Sequence, residues 1–212
     1  MQLLGRATSV NVQKVLWALA ELGIAYDRED MGGAFGGLET EAYGAMNPNR
    51  RVPTLIDGDL VIWESNAVVR YLAQNYGNGA LAGANAADRV RADMWMEWFQ
   101  NNCYADVIAL FYQTVRLPAS QRDPAKRDAA AQSLTKTLGM LEDHLAGNSF
   151  VAGEALSMGD IIIGSFLYRY YTMDFTRADL PNLAAYYARL TERAAYRSTV
   201  MTSYESLRAK ES

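Results

Sequence analysis

Nine residues divide this chain into two segments with different patterning. Gly77-Asn78-Gly79-Ala80-Leu81-Ala82-Gly83-Ala84-Asn85 is rich in glycine and small residues, and it is the best linker in the sequence. Before it, strand and helix signals alternate. Residues 2–5 are a short apolar run ended by Gly5. Val12, Val15, Leu16, Leu19 and Leu22 recur at helical spacing from Asn11 to Leu22, and Gly23 supplies the stop. Ile24 to Asp30 reads as a second strand, and the glycine-rich residues 31–46 as a loop with at most a short helix. Thr54–Ile56 and Leu60–Trp63 flank Asp57-Gly58-Asp59, a hairpin signal, and a helix follows from Ser65 to Tyr76. Beyond the linker the signals are almost all helical. Asn85 caps a long helix reaching toward Val115, Asp123-Pro124 opens another that closes at His144, and Pro181 opens a further one ending near Arg193. The expected architecture is α/β followed by all-α: a small mixed-sheet domain over 1–78, a linker over 79–85 and a helical domain over 86–212.

Composition narrows the chemistry. Of 212 residues, 50% are hydrophobic, ample for a core; 20 basic against 24 acidic side chains give a net charge of −4 with no basic run. Nucleic acid and anionic membrane are poor partners for such a chain. The single cysteine, Cys103, forbids an internal disulfide, and with the single histidine, His144, it leaves little for a metal centre. Residues 1–20 lack the charged start and apolar stretch of a signal peptide, and the densest apolar window, 161–167, is too short to span a bilayer. A cytoplasmic location is the expectation.

Three local patterns carry more. Pro53 opens a strand, and a cis Val52–Pro53 bond would leave the Val52 amide and carbonyl facing outward for a peptide-like ligand; a trans proline that merely starts a strand is the plainer alternative. Glu64-Ser65-Asn66 opens a helix directly after a strand, and a hydroxyl with free N–H groups at a helix start suits a carboxylate, although Ser65 also reads as a simple cap. Ser157-Met158-Gly159-Asp160 is a capping box with Asp in place of Glu, a folding element. Cys103, amid Trp95, Trp98, Phe99 and Tyr104, reads as a small core residue.

In this order and spacing, Asn47-Pro48 through Val52-Pro53-Thr54-Leu55, Glu64-Ser65-Asn66-Ala67 with Arg70-Tyr71-Leu72, and Ser157-Met158-Gly159-Asp160 resemble the cytosolic glutathione transferases over essentially the whole chain. The opening Gly5-Arg6-Ala7-Thr8-Ser9-Val10-Asn11-Val12 looks like a bacterial branch of that family. The resemblance implies a thioredoxin-like N-terminal domain that binds glutathione as co-substrate, a helical domain that shapes the pocket for a second substrate, and a homodimer. Val52, before Pro53, matches the residue whose backbone grips the cysteinyl part of glutathione; Glu64 and Ser65 match the pair on the γ-glutamyl end. Arg51 falls near the glycyl carboxylate, and Arg50 stands where glycine is commoner, so either arginine can face the ligand. Ser9 matches the serine-type thiol donor and Asn11 a second donor, with Thr8 in reserve; no tyrosine precedes Tyr26. A Ser9 that only caps its helix is the alternative. Trp98, Phe111, Tyr112, Tyr168 and Tyr171 are candidates to line an apolar second-substrate pocket. The implied activity is conjugation of glutathione to a small apolar electrophile, or displacement of halide from it. The alternatives are a glutathione-dependent peroxidase or disulfide reductase, and a non-catalytic binding or scaffold protein.

Overall fold

The structure, a computed structural model, describes residues 1–210; Glu211 and Ser212, the last two of the expected helical domain, lie outside the described residues. Four strands, β1 (Gln2–Leu4), β2 (Asp27–Glu29), β3 (Thr54–Asp57) and β4 (Leu60–Trp63), form one mixed sheet in the order β2-β1-β3-β4. β1 pairs parallel with β2 and antiparallel with β3, and β3 pairs antiparallel with β4. The hairpin closes on the Asp57–Leu60 pair, leaving Gly58-Asp59 as a two-residue loop, and Gly58 supplies the positive φ of 58° that such a loop requires. The sheet, with helices α1 (Val10–Glu21), α2 (Glu41–Met46) and α3 (Ser65–Tyr76), gives the thioredoxin-like half that the sequence predicts.

The helical half holds α4 (Ala86–Asn102), α5 (Tyr104–Phe111), α6 (Pro124–Leu145), α7 (Met158–Thr172), α8 (Pro181–Thr191) and α9 (Ala194–Thr199). The structure differs from expectation in two places. The single helix expected from Asn85 toward Val115 breaks at Cys103, where φ is −113°, and ends in a π-helical turn over Tyr112–Arg116. Neither proline nor glycine lies at that break, and Asn101-Asn102 just before it are its one local mark. The helix expected from Pro181 to near Arg193 is α8, and the short α9 follows it. The strand expected over Ile24–Asp30 shortens to three residues, because only Asp27–Glu29 find partners on β1.

α7 is the central post, buried along nearly its whole length. Its start is fixed by Asp160, whose carboxylate accepts from the Ser157 N–H and hydroxyl (both 2.7 Å), the Val151 N–H (2.9 Å) and the Tyr186 hydroxyl (2.7 Å). The capping box therefore also ties two distant segments to this helix. Replacing Asp160 by Ala orphans two buried N–H groups and two buried hydroxyls. The expected loss is about 3 kcal/mol of unfolding free energy, read as a lowered denaturant midpoint; a change near zero would contradict this role.

The two halves join through α1. The side of α1 bearing Val12, Val15, Leu16 and Leu19 is buried as expected, but Trp17 and Ala18 are also fully buried, so both faces are covered. Trp17 sits edge-on to Tyr196 at 4.8 Å and fills a notch at Gly164, where a Cβ would come within 2.7 Å of its ring. The Trp17 indole N–H donates to Glu21 (2.8 Å), and Glu21 takes a bidentate pair from Arg193 (2.7 and 2.6 Å).

Candidate functional site

The N-terminal turn of α1 opens beside the strand edge and beneath the start of α3. Ser9 occupies the N-cap position, yet its side chain makes no capping bond. The alternative in which Ser9 serves only as a cap loses its basis, and the hydroxyl is free to act elsewhere. Thr8 turns its carbonyl toward Arg169, whose Nη2 donates to it at 2.7 Å. The Asn11 amide lies 3.4 Å from the Tyr104 hydroxyl, and Asn11 Oδ1 is buried without a hydrogen-bond partner.

Across from this turn the Val52–Pro53 bond is cis. The loop before it is braced by Tyr43, Asn47 and Thr54. The Tyr43 hydroxyl and Asn47 Nδ2 both donate to the Arg51 carbonyl (2.7 Å each), and Asn47 Nδ2 also reaches Thr54 Oγ1 at 3.1 Å. Val52 has no backbone partner of this kind among the described residues. A Cβ added at Gly5 would lie 3.2 Å from Val52 and 2.6 Å from Val12, so the end of β1, the start of α1 and the Val52 edge form one tight corner. Arg50, at φ 49°, folds back so that one terminal nitrogen donates to the Leu38 and Thr40 carbonyls, both at 2.8 Å. The Arg51 side chain is exposed and has no such tie among the described residues.

Glu64 precedes α3 with φ 68°, and it does not cap the helix with its side chain. The first N–H groups of α3, including that of the buried Ser65, therefore lack a side-chain cap and present the positive end of the helix dipole. Directly below lies Lys14, 1% exposed, which sequence reasoning missed as a site residue. Its Nζ donates to Asn66 Oδ1 (3.0 Å) and Ser65 Oγ (3.4 Å) and lies over the Phe166 ring at 5.2 Å. Burial pulls its pKa down to about 7, partly opposed by the charge of Glu64. The available signal was a lysine set between Val12 and Val15 on an otherwise apolar stretch.

Of the aromatics, Phe111 and Tyr168 both meet Tyr204, at 5.6 and 6.1 Å between ring centres. Tyr112 is exposed, and Tyr171 stacks on Tyr187 at 4.4 Å. Trp98 stands edge-on to Trp95 and lines an outer cavity of about 450 Å³ with Met94, Met140 and His144; the structure does not bring it together with Phe111 and Tyr168. Cys103 is buried, and burial pushes its thiol up to about 12, with Asp106 adding to the rise. His144 pairs with the Val151 carbonyl at 2.9 Å, beyond the end of its own helix.

The Lys14 environment sets a pH dependence. A folded pKa near 7, against about 10.4 in an unfolded chain, means that the unfolded chain binds more protons between those values, so this group adds stability as pH rises through that window. The stability of wild type relative to Lys14→Met should therefore climb between pH 7 and about 9 in denaturant titrations. A difference that is flat with pH would contradict a buried amine with a depressed pKa.

The chain matches two family descriptions, "Glutathione S-transferase, N-terminal domain" over residues 3–80 and "Glutathione S-transferase, C-terminal domain" over residues 124–189. It is 38% identical over 199 residues to the glutathione S-transferase GstB of Escherichia coli, covering 93% of this chain and 96% of that one. Among solved structures it superposes on the theta class glutathione S-transferase of Xanthomonas axonopodis pv. citri with glutathione bound, at a TM-score of 0.92 and 44% identity, covering 95% of this chain and 97% of that one. It is also 26% identical to elongation factor 1-gamma 3 of Oryza sativa over 76% of this chain and 39% of that protein.

Proposed function

From the premise that the chain belongs to the glutathione S-transferase family, we propose that it is an active transferase that ionises glutathione at Ser9 and adds it to a small electrophile, displacing halide where the electrophile carries one. The observation that carries this reading is the unengaged Ser9 side chain at the N-terminus of α1. A thiol titrates near pH 8.5, so little of it is thiolate at neutral pH, and lowering the pKa by about two units takes roughly 2.7 kcal/mol. One charge-assisted hydrogen bond gives about 1.5–3 kcal/mol, and a helix N-terminus adds up to about 1. Ser9 with the dipole of α1 is sufficient.

Asn11 is the second donor. A phenol can donate as well as accept, so the Asn11 amide can turn over, with the Tyr104 hydroxyl donating to its oxygen and its NH2 group facing the thiolate. Thr8 flanks the site through its backbone. The glutathione backbone would pair with Val52 beside Pro53, its γ-glutamyl end with Glu64 and the helix start at Ser65, and its glycyl carboxylate with Arg51 rather than Arg50. Lys14 adds positive charge beneath the γ-glutamyl carboxylate. Phe111, Tyr112 and Tyr168 would flank the electrophile. In this reading residues 1–78 are the glutathione domain, 79–85 the linker and the helical remainder the second-substrate domain, in a protein of the cytoplasm.

Titration of bound glutathione by its ultraviolet thiolate absorbance tests the assignment. Ser9→Ala should raise the bound thiol's pKa by about one unit or more, and Asn11→Ala by less, with affinity little changed. An unchanged pKa and turnover in both variants would refute it. Calorimetry decides against a scaffold role if glutathione binds. Peroxidase activity is tested by the same enzyme with an organic hydroperoxide.

We also propose a homodimer, supported by the exposed apolar side chains of Leu60, Val61 and Trp63 on β4 and of Val90 and Met94 on α4. Sedimentation should show a dimer at micromolar concentration and a monomer for Met94→Glu; a monomeric wild type would refute it.

A further inference from the structure

Three arginines from three separate elements are tied to the turn before Ser9 or to its neighbours: the Arg6 carbonyl accepts from the Ser9 N–H (3.1 Å), Arg169 reaches the Thr8 carbonyl and covers the Phe111 ring, and Arg116 ends the turn that follows Phe111. Arg169 of α7 is 5% exposed, and apart from its bond to the Thr8 carbonyl it is covered by aromatic faces, Phe111 at 4.4 Å and Tyr204 at 5.7 Å. Arg6, between β1 and α1, lies over Gly32 and Gly33, where a Cβ would come within 3.0 and 3.2 Å of its guanidinium, and its Nε is buried without a partner. Arg116 closes the π-helical turn after α5 and is exposed. The charges that bear on Arg169 are those of Arg6 and Arg116, moderated by the phenols of Tyr204 and Tyr104, and Arg116 likewise bears on Arg6. Among the described residues none of the three has a carboxylate partner, whereas Arg28, Arg70, Arg193 and Arg208 all pair with one.

Gathering like charges and burying one of them without a counter-ion opposes folding. An arriving anion relieves both costs and gains charge-assisted hydrogen bonds. The position decides which anion. Arg169 holds the carbonyl of Thr8, one residue before the proposed thiol donor, and it stands among Phe111 and Tyr204, on the helical side of the cleft. The γ-glutamyl and glycyl ends of glutathione have their own partners at the start of α3 and at Arg51.

Resting on the transferase reading, we propose that Arg6, Arg116 and Arg169 form an anion-binding wall of the second-substrate site, so that the electrophile carries a carboxylate. This replaces the expectation of a wholly apolar electrophile. With an organic halide bearing a carboxylate, the glutathione sulfur forms the new S–C bond while the C–halogen bond breaks. The halide leaves with the bonding pair, and the thiol proton has already passed to solvent. The arginines keep the carboxylate fixed and do not take part in the bond change.

The test uses two near-isosteric conjugates, S-(4-carboxybenzyl)glutathione and S-(4-carbamoylbenzyl)glutathione, with glutathione itself as reference, all by calorimetry on the full chain. Wild type should bind the carboxylate at least about tenfold more tightly than the amide, and that ratio should fall toward one in Arg116→Gln and Arg6→Gln and with rising salt. A ratio near one in wild type overturns the proposal. So does an equal loss for all three ligands in the variants, which would mean that the arginines serve glutathione itself. Should glutathione not bind, the transferase reading fails, and 4-methylbenzoate alone then decides the wall. Binding by wild type in about the millimolar range, lost in Arg116→Gln, supports it, and no binding overturns it. Should Arg6→Gln fold poorly, Arg116→Gln, at an exposed position, carries the comparison.

Discussion

The seating of Trp17 in the notch at Gly164 is the contact on which the site geometry depends. It makes α1 a member of both halves: one face completes the layer over the sheet, and the other packs on α7 and α9. The Glu21–Arg193 pair, hydrogen-bonded to the same indole, fixes the far end of the helix. With α1 held along its length, its N-terminal turn cannot shift relative to α3, α5 or α7. Ser9, Asn11 and Lys14 thus meet residues more than fifty positions away, among them Ser65, Tyr104 and Arg169 through the neighbouring Thr8 carbonyl.

A chain of net charge −4 nevertheless buries two cations, Lys14 against the start of α3 and Arg169 against the turn that opens α1. Lys14 and Arg169 are both buried with aromatic faces beside their charges and no carboxylate in hydrogen-bond contact among the described residues. Their pKa values fall, to about 7 and about 10, chiefly through burial. In the proposed site, such an arrangement would favour an anionic guest: a thiolate, the carboxylates of glutathione and a charged second substrate.

Much of this was legible in the sequence because it rests on local signals. The hairpin follows from Asp-Gly between apolar runs, the start of α7 from the capping box, and the end of α3 from the glycine after Tyr76. Ser9, Asn11, Val52, Glu64 and Ser65 were marked by resemblance and position, and the structure sets them on the elements expected. What escaped depends on contacts distant in the chain. The second buried face of α1 is invisible to a single apolar stripe, since Trp17 is buried by helices 147 and more residues away. The break at Cys103 has neither glycine nor proline to announce it. Lys14 reads as an exposed charge until α3 covers it. The arginine cluster takes one residue each from positions 6, 116 and 169, and no spacing rule joins them.

The account stands or falls on where the sulfur of bound glutathione lies. A crystal structure of the protein with glutathione should place that sulfur within about 3.5 Å of Ser9 Oγ, with the cysteinyl backbone paired to Val52 and the γ-glutamyl carboxylate on the first N–H groups of α3. A sulfur turned away from the α1 turn, with Ser9 contacting no part of the ligand, would contradict it.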